Sequence, residues 1–132
     1  MRRELSEDSF RREALGIWDD KSVPQVIDPD TWYGLADQNS VAVDRLALGI
    51  DVSPDRSTAS VCLAGVRADG LFHIELDENR RGVDWVVPWV ADICGHNPIR
   101  AVVVDGVSPA ASLVEQLTAA GVHVTTTSAA DM

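Results

Sequence analysis

A chain of 132 residues with 45% hydrophobic content is long enough for one modest domain, or part of a larger one, with a real core. A formal charge of −10, with no Lys or Arg after Arg100, argues against an autonomous DNA-binding domain, which gathers basic residues along its phosphate path. No apolar run approaches the roughly 20 residues that cross a bilayer, and Met1-Arg2-Arg3-Glu4-Leu5 lacks the hydrophobic segment of a secretory signal, so a soluble, cytoplasmic protein without membrane contact is expected.

Residues 1–40 read as a connecting arm. Ser6 through Trp18 has a capping serine, acids in its first turn and Phe10, Ala14, Leu15 and Trp18 at helical spacing, which predicts a short helix. Asp19 to Pro24 breaks it, and Asp30 or Thr31 is placed to cap one further turn.

Residues 41–132 read as one α/β domain. Leu46–Val52 is a predicted strand, and Thr58–Gly65 and Leu71–Asp77 form a hairpin around Asp69-Gly70. A helix is expected from Asp84 through Cys94, with Val83, Val86, Val87, Val90 and Ile93 on one face and Gly95 at its end. Ala101–Asp105 follows as a buried strand. Ser108-Pro109 then opens a helix that buries Leu113, Val114 and Leu117 and closes at Gly121, and Val122–Thr126 is the last strand. The order β-β-β-α-β-α-β is an antiparallel meander followed by crossovers onto a mixed sheet, the ribonuclease H-like (RNase H-like) arrangement.

Within that order two acids stand out. Asp51 ends the run Leu46-Ala47-Leu48-Gly49-Ile50, and Asp105 ends Ala101-Val102-Val103-Val104. A carboxylate at the edge of a buried strand is costly to desolvate unless something positive meets it, and neighbouring strands would bring both acids to one point suited to a divalent ion. The blander alternative makes each a turn cap, Asp51 for Ser53-Pro54 and Asp105 for Ser108-Pro109. Asp55 reads as a solvated turn former, and Ser53, Ser57 and Thr58 as hydroxyls able to meet a phosphate. Glu75 is expected on an exposed face, and Trp85 and Trp89, one helical turn apart, in packing or partner contacts. Cys62 and Cys94 read as buried free thiols, and His73, His96 and His123 are too scattered for a zinc site.

The runs Phe10–Trp18, Ile27–Trp32, Ala47–Ser57, Asp84–Pro88 and Val103–Ala111, in this order along nearly the whole chain, resemble the large terminase subunit of tailed phages or prophages around the join between its ATPase motor and its nuclease domain. The resemblance implies an endonuclease for packaging DNA into a procapsid, with Asp51 and Asp105 as catalytic acids holding Mg²⁺ or Mn²⁺. It implies double-stranded DNA, the terminase ATPase domain, the small terminase subunit and the portal as partners, in the cytoplasm of a bacterial host. The motor's Gly-Lys-Ser/Thr phosphate loop is missing here, so the chain is not the packaging ATPase by itself. The family's third acidic ligand lies beyond the fifth strand, and Asp131 lies too close to that strand to replace it; an RNase H-like domain incomplete at its C-terminus, a truncated nuclease whether active or inactive, is therefore expected. Two other classes stay open: a non-catalytic remnant acting as an interaction module, and a nucleotide-binding protein of the actin or sugar-kinase kind.

Overall fold

The computed structural model describes residues 26–128 and residue 130, and divides the chain into two compact units, with the boundary between Gln38 and Asn39. The helix expected over 6–18 and Asp131 lie outside the described residues.

In the first unit, helix α1 (Pro29–Gly34) is one short turn and a half. Asp28 caps it, its Oδ2 accepting the Thr31 N–H at 2.9 Å and the Thr31 hydroxyl at 3.0 Å. Asp30 and Thr31 were the expected caps. Pro29 overrules them, because a proline fits the first helical position, where no N–H is needed, and so places the cap one residue earlier.

The second unit is α/β, a five-stranded mixed sheet with a few helices. Strands β1 (Asp44–Val52), β2 (Thr58–Val66) and β3 (Phe72–Arg81) form an antiparallel meander. Helix α2 (Val86–His96) leads to β4 (Ala101–Asp105), a 3₁₀ turn (Pro109–Leu113) runs into helix α3 (Val114–Ala119), and β5 (Val124–Thr127) closes the sheet. The strand order is β3-β2-β1-β4-β5, with β4 parallel to both β1 and β5. The hairpin turns at Gly70, whose φ of +87° only glycine adopts without strain.

Alternation decides which face is the core. Leu48, Ile50 and Val52 of β1, Ala59 and Val61 of β2, and Val102 and Val104 of β4 are buried against Val86 and Val90 of α2, Ala110 and Leu113 of the 3₁₀ turn, and Leu117 of α3. Each such Val, Leu or Ile side chain contributes about 1.5–3 kcal/mol by leaving water. The intervening residues point to the other face, where Phe72, Ile74 and Leu76 of β3 are exposed.

That phase bears on the cysteines and on β3. Cys62 was expected buried and is a free thiol that is exposed, because it alternates with buried Val61, and Cys94, also expected buried, is half-buried on α2. In β3 the buried residue is His73, whose Nδ1 lies 2.7 Å from the Ser40 hydroxyl, while its neighbours Phe72 and Ile74 face outward. Glu75 is exposed, but it shares His73's face, its carboxylate 3.4 Å from Nε2.

Helix ends also shift. The helix expected from Asp84 to Cys94 starts at Val86 and passes through Gly95 to His96, since Trp85 at its N-cap turns its indole N–H onto the Gly82 carbonyl at 2.9 Å. The Ser108 hydroxyl does not cap the following turn. It donates back to the Asp105 carbonyl at 2.9 Å, and the first turn winds tightly as 3₁₀.

A bulge at Asp77 re-aims β3. Val61 pairs with Glu78 and Cys62 with Leu76, leaving Asp77 outside the ladder, and its carboxylate accepts the Trp89 indole N–H at 2.7 Å. Trp85 and Trp89 meet edge to face at 6.1 Å, and the Arg80 guanidinium lies over both rings. These aromatics and the arginine fasten α2 to the sheet's edge strand.

Candidate metal centre at the ends of β1 and β4

The parallel register pairs Ile50 with Val104, so Asp51 and Asp105 are the next residues on neighbouring strands, about 4.8 Å apart at the backbone. Both alternate with buried residues, Asp51 between Ile50 and Val52 and Asp105 after Val104, and so both stand on the face opposite the helices. This is the carboxyl edge of the parallel strands, where the chain leaves β1 to one side and β4 to the other, the usual place for a ligand in an open α/β sheet.

The register extends the row. Asp51 pairs with Ser60, Ser60 with Asn79, and Asp105 with Thr127. Across the sheet the residues run Asn79, Ser60, Asp51, Asp105, Thr127, all polar, with the Asn79 amide donating to the Ser60 hydroxyl at 2.6 Å. Sequence reasoning missed Ser60, Asn79 and Thr127, since only strand pairing brings them beside the acids.

The two acids differ in their local duties. The Asp105 Oδ1 accepts the Val107 N–H at 3.0 Å, so it caps its own turn while holding its second oxygen available. The turn after Asp51 is organised by Asp55 instead. Asp55 Oδ1 accepts the Ser57 hydroxyl at 2.7 Å, the Ser57 N–H at 3.0 Å and the Ser53 hydroxyl at 2.8 Å, and these donors draw its carboxyl down to about 2. Asp55 is thus a turn former, and the Ser53 and Ser57 hydroxyls are committed to it. Asp51 itself stays exposed beside Cys62, whose thiol is pushed up first by partial burial and then by the charges of Asp51 and Asp77.

The donor set is wholly oxygen: two carboxylates with neutral hydroxyls on either side. That suits a hard divalent cation such as Mg²⁺ or Mn²⁺ better than zinc or copper. Among the described residues no group of three or more His, Cys, Asp or Glu gathers to hold a metal ion, so the two carboxylates are the whole of the acidic part of the candidate site. Also among the described residues, no helix is long and apolar enough to cross a membrane.

Comparison with protein families, with curated proteins and with solved structures finds no match for this chain.

Proposed function

We propose that this chain is an RNase H-like nuclease unit of the terminase large-subunit kind, a metal-dependent endonuclease acting on double-stranded DNA with Asp51 and Asp105 as its metal ligands. The observation that carries this reading is the register: two acids 54 positions apart in sequence follow directly on the paired residues Ile50 and Val104 and occupy one face. A divalent ion bound there would polarise a phosphodiester and lower the pKa of a coordinated water. The chain's own part is to present two carboxylates side by side, with Ser60 and Thr127 flanking them as neutral donors.

Net charge of −10 makes DNA binding by this unit alone weak, so the ATPase motor, small subunit and portal would deliver the substrate in the bacterial host cytoplasm. A nucleotide-binding role of the actin or sugar-kinase kind is less well supported, because Ser53 and Ser57 in the turn after β1 spend their hydroxyls on Asp55. A non-catalytic interaction module draws support from the two-acid limit of the site. Plasmid nicking in Mn²⁺ separates these: nicking that disappears in Asp51→Ala supports the nuclease, and nicking that persists in that variant refutes it.

A further inference from the structure

The segments that follow the two acids, 53–57 and 106–112, contain one cationic residue between them, Arg56. It has a left-handed backbone, φ +59°, a conformation that costs a non-glycine residue on the order of 1 kcal/mol and persists only where surroundings enforce it. The enforcement is visible. The Arg56 N–H donates to the Ser53 carbonyl at 2.8 Å, and Asp55 braces the same turn through Ser53 and Ser57. The result carries the Arg56 guanidinium away from β1 and across to the 3₁₀ turn after β4. There it donates to the Pro109 carbonyl at 3.3 Å and to the Ser112 hydroxyl, which in turn donates to the same Pro109 carbonyl at 2.9 Å.

We propose that Arg56 is a positioning residue for the acid pair: by tying the turn after Asp51 to the 3₁₀ turn after Asp105, it holds two mutually repelling carboxylates at the spacing a divalent ion requires. This rests on the reading of Asp51 and Asp105 as a metal site. Without the ion, two like charges on adjacent strand ends push apart, and the ladder between β1 and β4 pairs no residue beyond Ile50 and Val104. The tie from Arg56 lies just past that last pair, where backbone pairing stops.

The sign of the effect separates positioning from simple electrostatics. Removing a positive charge near two carboxylates should tighten binding of a divalent cation. Removing a positioning residue should weaken it, by about tenfold for a side chain that orients ligands without touching the metal. The experiment is Mn²⁺ titration by calorimetry on the full chain and on Arg56→Gln, Ser112→Ala, the double variant and Asp51→Ala, each first shown to be folded by circular dichroism. Arg56→Gln and Ser112→Ala should both weaken Mn²⁺ binding, with the double variant no weaker than Arg56→Gln, because both substitutions break one tie. Ser112→Ala changes no charge and serves if Arg56→Gln fails to fold. Unchanged or tighter Mn²⁺ binding in Arg56→Gln or Ser112→Ala, while Asp51→Ala abolishes it, overturns the positioning role and leaves the metal site standing. Equal Mn²⁺ affinity in the unaltered chain and Asp51→Ala removes the metal site itself, and the role of Arg56 with it.

Discussion

Asp51 and Asp105 sit one residue beyond the parallel pair Ile50 and Val104, on the same face of the sheet, yet only Asp105 holds a backbone N–H of its own turn. Their removal should therefore have different consequences for folding. Asp51→Asn relieves like-charge repulsion and breaks no turn, so it should leave stability unchanged or raise it by up to about 1 kcal/mol. Asp105→Ala strands the Val107 N–H and should cost about 1 kcal/mol. Urea unfolding of the two variants without metal checks this, and an equal loss in both would contradict the assigned roles.

Cys62 reports on Asp51. Its thiol is exposed, yet partial burial and the charges of Asp51 and Asp77 raise its pKa, which lowers the thiolate fraction at neutral pH. Asp51→Asn should speed alkylation of Cys62 at pH 7.5 severalfold, while Cys94, whose thiol is raised by burial alone, should keep its rate. Labelling followed by mass spectrometry distinguishes the two cysteines.

Acid should weaken the β1–β2 turn within a defined window. Asp55 is depressed to about 2 in the folded chain, so its contribution is fully present above its unfolded value near 4 and is lost as pH falls from about 4 to about 2. The stability difference between the native chain and Asp55→Asn should be constant from pH 7 to 5 and shrink below pH 4. A difference independent of pH down to 2 would show that the hydrogen bonds to Ser53 and Ser57 do not favour the ionised form.

Two leucines test which face is the core. Leu117 is fully buried under the sheet, and Leu117→Ala should cost about 2–5 kcal/mol. Leu76 is 60% exposed on the opposite face, and Leu76→Ala should change stability by less than about 0.5 kcal/mol. Thermal unfolding of both variants gives the comparison, and a large loss in Leu76→Ala would mean that this face is covered.

Sequence by itself determined the element order of the second unit and the alternation of Leu48, Ile50 and Val52, because apolar periodicity and turn residues such as Asp69-Gly70 are local properties of the chain. It also singled out Asp51 and Asp105, since an acid closing an apolar run is conspicuous at any distance from its partner. Only the tertiary structure decided what surrounds them. The row of Ser60, Asn79 and Thr127 depends on strand register, which no local pattern encodes. The outward face of Phe72 and Ile74 depends on the register of β3 against β2, which leaves His73 as the buried residue of this edge strand. Arg56 drew no reading from the sequence, because its place in the structure rests on a left-handed backbone that carries its side chain across to Pro109 and Ser112, a contact between residues more than 50 positions apart that only the folded sheet brings together.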